Sequence, residues 1–431
     1  MLRADSNNKQ SIALAVQALL DGQPVRQLLG VLSFGNEEAR VVGGAVRDTV
    51  MGRAIGDVDI ATTVLPETVI HLAQAKGWKA VPTGIEHGTV TLVIDGISYE
   101  ITTLRRDVET DGRRAVVAFS RDFKEDAFRR DFTMNAMSLS QDGTIHDYAT
   151  GVTDANDGIV RFMGDPATRI REDYLRILRF FRFQSSHGRH DRDINQNTAD
   201  FRACAVHMAG LMQLSRERIR QEILKLLDGP NSMAAVRAME SIGIWDSVMP
   251  NIDKDFTALQ HLVVLEKTTN LKPDITVRVA ALCGPTINSK KLQEYLALSN
   301  REHKRIVTAE KLAREINGEA IADNILRKIV FLGGRDGCTD ALLLKNARIF
   351  AGSEATIHAF ARAQKVFAVP PVNPFSSQDV TLRGIRPGVL MGRILKKSLE
   401  LWLDSGLPSD ASVQKLILDS AIELIRHNRA H

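Results

Sequence analysis

Hydrophobic and polar positions follow two different patterns along the chain. Between about residues 26 and 160, short β-rich stretches alternate with turn residues, which predicts a mixed α/β region. Within it, the segment TLVIDGISYEIT places Asp95-Gly96 between two such stretches and predicts a β-hairpin. The predicted strands are 39–43, 58–61, 89–94, 98–103 and 115–119.

From about residue 165 the apolar residues recur at helical spacing, and the β-rich stretches disappear. Leu175, Leu178 and Phe181 fit one helix, and the apolar residues of 219–227 fit a second. The segment AVPPVNPFSS at 368–377 is the strongest linker candidate, because proline cannot extend a helix. The pattern therefore predicts an α/β head followed by an all-helical remainder.

Composition narrows the possible classes of protein. The chain has 431 residues, with 56 Lys and Arg against 52 Asp and Glu, and a net charge of +4. This balance excludes a strongly acidic protein, which would repel phosphates, but does not by itself indicate a nucleic-acid partner. No run of about 18 apolar residues exists, so we expect no membrane association. The N-terminal segment lacks a secretory pattern, and the three widely spaced cysteines predict free thiols in a cytoplasmic protein.

Two aspartates follow the stretch VVGGAVRD, in the segment GDVDIATT. If 57–60 is a strand, Asp57 and Asp59 point to the same face, because side chains alternate with period two. Like charges held so close favour a cation between them, and Mg²⁺ takes oxygen ligands and leaves room for substrate phosphates. Glu100, in the predicted strand ISYEITT, is the candidate third carboxylate. The alternative is a turn at Asp57 and a helix cap at Asp59, but the adjoining Gly-Gly turn and Glu100 favour the metal site.

Candidate phosphate ligands lie in two segments. Gly43-Gly44 lets the backbone approach a ligand closely, and Arg47 would counter a triphosphate. In RRDFTMNAM, Arg130 is a candidate for phosphate, and Asn135 for ribose or triphosphate. A solvated charged turn before a helix is an equally good interpretation of this second segment.

The segment RIREDYLRILRFFRF predicts a helix on which Asp173 and Arg176 are neighbours, with Arg179 and Arg182 on the same side. One interpretation is an amphipathic helix with internal salt bridges. The other starts from hydrogen bonding: a carboxylate only accepts and a guanidinium only donates. Cytosine and adenine each offer an amino donor beside a ring-nitrogen acceptor, which matches this pair. Uracil and guanine present the opposite pattern, so the pair would reject them.

These segments resemble the class II tRNA nucleotidyltransferase family, which comprises the CCA-adding enzymes and their bacterial poly(A) polymerase relatives. The matching blocks are GGAVRD with DVD, YEITTLR, RRDFTMNAM, REDYLRILRFFRF and SRERIRQEILKLL, in the family's order over about residues 40–227. The segment DVTLRGIRPGVLMGRIL at 379–395 also resembles the C-terminal part of these enzymes. The residues 230–370 carry little that matches.

The resemblance implies an α/β nucleotidyltransferase head over 1–163, a helical neck over 164–229, a body over 230–295 and a tail over 296–431. It implies Mg²⁺ at Asp57 and Asp59, with Glu100 as the third carboxylate. The residues it implies in nucleotide binding are Gly44, Arg47, Arg130, Asn135, Asp173, Arg176, Arg179 and Arg182. The loop 105–128 would help the site to change from C to A.

The implied activity is template-independent addition of C, C and A to the 3′ end of tRNA from CTP and ATP. The catalytic blocks do not separate this from poly(A) addition, but GIEHGTVTLVIDG reads as in CCA-adding members and lacks the basic block of poly(A) polymerases. A CC-only or A-only enzyme of the same family stays open, as does a non-catalytic RNA-binding protein. In the tail, basic residues are candidate contacts to tRNA phosphates: Arg383, Arg386, Arg393, Lys396 and Lys397. His190-Asp191 lacks further well-placed ligands, so we expect no hydrolase metal site there.

Overall fold

A computed structural model describes residues 2–22, 24–110, 115–189, 193–285, 288–316, 321–349 and 353–427. They form two compact units, Met1–Val248 and Met249–His431. All strands of the described residues lie in the first unit, and its last strand ends at His146. The predicted change from an α/β to a helical region near residue 165 is thereby confirmed. The predicted domain limits at 163 and 229 fall inside the first unit and stay predictions.

The first unit contains twelve helices and nine strands among its described residues. The helices are α1 Leu2–Asp21, α2 Val25–Leu32, α3 Gly44–Val50, α4 Pro66–Ala75, α5 Phe123–Arg129, α6 Gly151–Asp157, α7 Pro166–Glu172, α8 Leu175–His187, α9 Ala199–His207, α10 Arg216–Asp228, α11 Ser232–Ser241 and α12 Ile244–Val248. The strands are β1 Ala39–Val42, β2 Asp59–Thr62, β3 Lys79–Gly84, β4 Thr89–Ile94, β5 Ile97–Thr103, β6 Arg105–Thr110, β7 Ala115–Phe119, β8 Ser138–Leu139 and β9 Ile145–His146.

Seven strands form one mixed sheet in the order β3-β4-β5-β2-β1-β8-β9, and β6 pairs with β7 separately. The predicted hairpin is confirmed: β4 and β5 are antiparallel, and Asp95 and Gly96 both have positive φ, as a two-residue hairpin turn requires. β2 and β5 are parallel, with Asp59 opposite Glu100. All five predicted strands occur, but β2 begins at Asp59. The prediction that Asp57 lies within this strand is therefore wrong.

The two helices predicted from apolar spacing are α8 and α10, and they pack together behind the site. Buried aromatic rings form much of this core: Phe132 contacts Phe162 and Phe183, and Phe162 stacks on Phe180. Ile219 on α10 is fully buried as well. Because one face of each helix is buried in this way, the opposite face of each is fixed in position. Arg176 and Arg179 on α8 and Arg218 on α10 lie outside this buried core.

The second unit consists of helices: α13 Phe256–Thr268, α14 Ile275–Leu282, α15 Ser289–Tyr295, α16 Asn300–Glu315, α17 Asp323–Ile349, α18 Ser353–Ala368, α19 Ser377–Thr381, α20 Val389–Asp404 and α21 Ala411–His427. Gly334 interrupts α17 with a non-helical conformation. The predicted linker at 368–377 contains the non-helical stretch between α18 and α19, but it lies inside the second unit and does not separate two units. Trp402 is buried in the apolar core that α19–α21 share.

Among the described helices, none is both long and apolar enough to cross a membrane. Cys204, Cys283 and Cys338 are buried free thiols, as predicted.

Candidate active site

A cavity of about 500 Å³ lies in the first unit, between the head sheet and helices α8 and α10. Six arginines of the described residues line it, which we call the arginine wall: Arg47, Arg129, Arg130, Arg176, Arg179 and Arg218. The other lining residues are Gly43, Gly44, Asp59, Asp131, Asn135, Asp173, Leu175 and Phe183. Six cationic groups against three carboxylates suit a ligand with several negative charges.

The Gly-Gly turn brings α3 and Arg47 to the cavity. Gly43 has φ +70°, a conformation that favours glycine, and a Cβ there would meet Nη1 of Arg130 at 3.0 Å and displace this guanidinium. The N–H of Gly43 donates to the carbonyl of Met137 at 3.4 Å, so this amide is engaged within the protein. The prediction that this Gly-Gly turn lets the backbone approach a phosphate closely stays a prediction.

Arg47 is held from two sides. Its guanidinium donates two hydrogen bonds to Asp48, both 2.9 Å, and one to Oδ1 of Asn135 at 2.8 Å. Burial lowers the pKa of Arg47, although the adjacent Asp48 opposes this shift. An arginine fixed in this way presents its charge to the cavity without a large loss of side-chain entropy on binding.

Of the candidate metal ligands, only Asp59 lines the cavity. Glu100 and Asp57 are close enough to raise the pKa of Asp59, and we call the three residues the carboxylate edge. Asp59 and Glu100 are opposite each other in β2 and β5, while Tyr99 and Ile101 beside Glu100 are buried, as the alternation predicts. All three carboxylates are exposed and have no hydrogen-bond or ion-pair partner among the described residues. The protein around Asp59 removes water and raises its pKa, Glu100 and Asp57 raise it further, and Arg130 lowers it. These unpaired like charges suit a cation.

The carboxylate edge is not a closed ligand set. No group of three or more His, Cys, Asp or Glu side chains within the described ranges is close enough together to hold a metal ion. Asp57 lies before β2, in an irregular segment, whereas Asp59 and Glu100 are on the sheet. The structure therefore does not bring the three predicted carboxylates together as one preformed centre.

Arg130 and Asn135 both line the cavity, as predicted. Arg130 pairs with Asp126 at 3.1 Å, which also binds Arg129 at 2.8 Å. Burial raises the pKa of Asp126, but the two guanidinium groups hold it below its ordinary value. Asn135 is buried between Arg47 and Asp131. Its amide nitrogen donates to Oδ1 of Asp131 at 3.2 Å. It therefore positions Arg47 in addition to lining the cavity.

The predicted base-reading pair, Asp173 and Arg176, is arranged differently from the expectation. Asp173 is not on the helix with Arg176: it follows α7, has an extended backbone, and its Oδ1 accepts from the N–H of Leu175 at 3.1 Å. Arg176 pairs with Glu172 and donates to the carbonyl of Arg169 at 2.9 Å. The two side chains line the same cavity, but each is paired with another residue, and the expectation that they share one helix is wrong.

The two supporting arginines have different surroundings. Arg179 lines the cavity and donates to Asp131 at 2.6 Å. Arg182 does not line it: its guanidinium lies 4.1 Å from the ring centre of Phe183 and pairs with buried Glu222 at 2.6 Å. Arg182 therefore supports the wall from behind.

Sequence reasoning missed several residues that organise the wall. Asp131 binds Asn135 and Arg179, Glu222 holds Arg182, and Arg218 on α10 pairs with Asp173 at 2.7 Å. Phe183 lies beneath the guanidinium groups of Arg47, Arg179 and Arg182. The sequence did point to Asp131 and Arg218, because both lie inside motifs that resemble the family. The spacing of residues within those motifs did not predict which side chains they would bind.

Two predictions concern residues that are described only in part or not at all. The predicted flexible loop 105–128 contains the antiparallel strands β6 and β7 and most of helix α5. The side chains of 106–117 and all of 111–114 lie outside the described residues, so its part in a change from C to A stays a prediction. His190-Asp191 also lies outside the described residues.

Comparison with known proteins supplies the context for this cavity. Residues 39–161 match the family described as "Poly A polymerase head domain", and residues 198–256 match "Probable RNA and SrmB- binding site of polymerase A". "CCA tRNA nucleotidyltransferase 1, mitochondrial" of Danio rerio is 32% identical over 372 residues, which cover 85% of this chain and 84% of that protein. The chain belongs to the CCA tRNA nucleotidyltransferase family. This confirms the resemblance stated from the sequence motifs.

Other members of the CCA tRNA nucleotidyltransferase family match nearly the whole chain. The "CCA-adding enzyme" of Limosilactobacillus fermentum is 29% identical over 411 residues, covering 94% of this chain and 97% of that protein. The crystal structure of the Bacillus stearothermophilus CCA-adding enzyme in complex with CTP has a TM-score of 0.73 and 25% identity, covering 94% of this chain and 98% of that one. The predicted fold, a nucleotidyltransferase head with a mostly helical remainder, is thereby confirmed.

Proposed function

We propose that this protein adds C, C and A to the 3′ end of tRNA, with CTP and ATP as substrates. The observation that carries the proposal is the cavity of the first unit. The arginine wall, Asp59 of the carboxylate edge and Asp173 all line this one cavity. One wall can hold a triphosphate, the edge can hold a cation beside it, and Asp173 with Arg176 can bind a base. Family membership supports the same activity.

The phosphates are assigned to Gly44, Arg47 and Arg130, and the base to Asp173 and Arg176. Arg179 and Arg182 support the base-reading side through Asp131, Phe183 and Glu222. The carboxylate of Asp173 accepts from the amino group of cytosine or adenine, and Arg176 donates to the ring nitrogen. Uracil and guanine would leave both groups mispaired, at a cost on the order of 1–3 kcal/mol each.

Nucleotidyltransferases of this kind use a divalent metal, and we propose Mg²⁺ for this one. Asp57 and Asp59 would hold it, with Glu100 as the third carboxylate, since these oxygens have no protein partner among the described residues. When bound, Mg²⁺ supplies charge neutralisation at the phosphates and makes the RNA hydroxyl more acidic.

The transfer itself needs no covalent intermediate with the protein. The 3′ hydroxyl of the tRNA gives up its proton to water, and its oxygen forms a bond to the α-phosphorus. The bond between that phosphorus and the oxygen bridging to the β-phosphate breaks, and pyrophosphate leaves. The wall orients the triphosphate for this displacement and stabilises the charge that collects on pyrophosphate. Binding in a cavity of fixed cations is therefore the main contribution of the side chains.

The head, neck, body and tail limits of 163, 229 and 295 belong to the proposal, and we assign tRNA binding to the tail. Of the tail cations, Arg383 pairs with Asp419 at 2.5 Å, and Lys397 with Glu400 at 3.2 Å. Arg386, Arg393 and Lys396 are exposed and are the better candidates for phosphate contacts.

The deciding experiment supplies tRNA without its 3′ CCA to the purified protein with CTP alone, ATP alone, or both. We expect two added nucleotides with CTP and three with both. Addition limited to two C, or to A on a tRNA ending in CC, would assign a CC-only or A-only enzyme. Long A tails on an unrelated RNA would assign a poly(A) polymerase, and no addition would contradict an enzymatic role.

We propose the cytoplasm as the compartment, supported by three buried free thiols. The relative from Danio rerio is named as mitochondrial, so cell fractionation with antibody detection is the appropriate test.

A further inference from the structure

Asp173 is bound at both of its carboxylate oxygens. Oδ1 accepts from the N–H of Leu175 at 3.1 Å, and Oδ2 accepts from Nη2 of Arg218 at 2.7 Å. The first contact fixes the carboxylate to the start of α8. The second contact reaches across 45 residues of sequence to α10. The orientation of this carboxylate is therefore set by two elements rather than one.

Arg218 itself is held at a defined place on α10. Its N–H donates to the side chain of Ser215, which caps the helix. Immediately before that cap, the 3₁₀ segment Met208–Gln213 packs on the residue after Asp173: a Cβ at Gly210 would lie 2.1 Å from the ring of Tyr174. The close approach of Gly210 to Tyr174 therefore brings the start of α10, and with it Arg218, to Asp173.

The other half of the base-reading pair is held in a parallel way. Arg176 donates to the carbonyl of Arg169 at 2.9 Å and pairs with Glu172. Asp173 and Arg176 are thus not paired with each other, although both line the cavity. Each instead has one partner of opposite charge outside the pair. This arrangement keeps the acceptor and the donor separate, as the edge of a base requires.

We propose that Arg218 is a positioning residue for base selection. It holds the carboxylate of Asp173 as an acceptor directed at the amino group of an incoming C or A, and so disfavours U and G. A carboxylate oxygen has two lone pairs, so Oδ2 can accept from Arg218 and from the amino group together. This inference rests on the proposed function, because it assumes that Asp173 contacts the base.

The exposure of the pair separates this role from a structural one. The side chain of Arg218 is 47% exposed and that of Asp173 is 33% exposed. Exposed ion pairs contribute little to folding stability. Removing Arg218 should therefore leave the unfolding midpoint nearly unchanged, while it frees the Asp173 carboxylate to rotate. The expected effect is on nucleotide choice rather than on the fold.

The test compares R218M and R218K with the unaltered full-length protein, using tRNA lacking its 3′ end and each of the four nucleoside triphosphates. For R218M we expect kcat/KM with CTP and ATP to fall about tenfold, mainly through KM, and that with UTP and GTP to change much less. The ratio of correct to incorrect incorporation then narrows by about the same factor. R218K keeps the charge and should recover part of the ratio.

The matched control is K225M, which removes an exposed cation from the same helix outside the cavity. It should leave all four kcat/KM values unchanged. An equal loss with all four nucleotides in R218M, or an unchanged ratio, would overturn the proposal. If R218M does not fold, R218K decides alone: a narrowed ratio supports the role and an unchanged ratio overturns it. Failure of the unaltered protein to incorporate C or A would instead count against the proposed function.

Discussion

The two sides of the cavity solve opposite electrostatic problems. Every arginine of the arginine wall is paired with a carboxylate, for example Arg47 with Asp48, Arg179 with Asp131 and Arg218 with Asp173. The carboxylate edge has no such partner among the described residues, and loss of water around Asp59, reinforced by the nearby charges of Glu100 and Asp57, raises its pKa. The positive side is therefore organised before the ligand arrives, and the negative side is left for a cation to complete.

The difference also separates stability from function. Paired groups contribute to folding and to the geometry of the site at once, so a substitution there affects both. Unpaired like charges oppose folding, and their value is realised only in the reaction. The predictions below test this contrast, beginning with the largest expected effect.

Removing a carboxylate from the edge should abolish activity without weakening the fold. For D59N we expect incorporation of CTP and ATP to fall by at least about 10²–10³-fold. The substitution removes the negative charge that would hold the divalent cation beside the phosphates of the nucleotide. The unfolding midpoint should stay the same or rise, since repulsion with Glu100 is relieved. Single-turnover rates and thermal unfolding measure the two effects.

The control for this substitution is E86Q, an exposed acid with a side chain 84% exposed. It should retain full activity. A D59N protein with an undiminished rate would remove Asp59 from the catalytic centre.

Breaking the buried ion pair between Arg182 and Glu222 should, in contrast, weaken the fold. In E222A the guanidinium of Arg182 loses the buried carboxylate 2.6 Å away, and leaving such a charge uncompensated costs about 3–5 kcal/mol. Chemical denaturation should show this loss. The double variant R182M/E222M, which removes both charges, should regain much of the stability but not the activity. Equal instability in both variants would show that packing, not charge, matters there.

Crowding the approach of α10 should have a moderate effect. G210A introduces a Cβ that would lie 2.1 Å from the ring of Tyr174, so either element must shift, at about 1–3 kcal/mol. We expect a lower unfolding free energy and weaker discrimination between CTP and UTP. In contrast, G392A adds a methyl group in open space within α20 and should be neutral or slightly stabilising. Normal discrimination between CTP and UTP in G210A would show that the contact of Gly210 with Tyr174 does not position Asp173.

The smallest effect is expected from pH, through His187. Its Nε2 lies 3.4 Å from Oδ1 of Asp48, and burial lowers the pKa of His187, with Asp48 opposing and Arg47 and Arg53 reinforcing the shift. Between the lowered folded value and the unfolded value near 6.5, the unfolded chain binds the extra proton, so stability falls as the pH decreases through that window. H187N should flatten this dependence in denaturation curves from pH 7.5 to 5.5. A slope equal to that of the unaltered protein would assign the proton uptake elsewhere.

Local patterns predicted the elements of the head well, because alternation and turn residues act over a few positions. The Asp95-Gly96 hairpin and the exposure of Glu100 between buried neighbours follow directly from them. The strand pattern put Glu100 forward as a third carboxylate beside Asp59. The parallel pairing that places the two residues opposite each other joins strands distant in sequence, and local patterns did not predict it. The short, partly exposed strand β3 gave no comparable alternation and was missed.

In the predicted base-reading region, the sequence spacing of two residues gave the wrong secondary structure. Asp173 and Arg176 are three residues apart, which favours a shared helix, but the chain leaves the helix after Glu172 and starts a new one at Leu175. Their actual partners are Arg218, which is distant in sequence, and Glu172, which the motif contains but the interpretation did not use. A charged motif predicts which residues gather in a cleft better than it predicts how they pair.

The start of β2 at Asp59 has a consequence for how the reaction is ordered. One proposed ligand, Asp59, lies on a strand paired on both sides, whereas Asp57 lies in an irregular segment and its side chain has no hydrogen-bond partner in the part of the chain that the structure describes. An ion that keeps several waters and relies on only one or two carboxylates gains most of its remaining coordination from phosphate oxygens. Retention of a divalent ion would then depend on occupancy by a triphosphate, so that cation and nucleotide would enter and leave together and the vacant protein would bind the free ion only weakly.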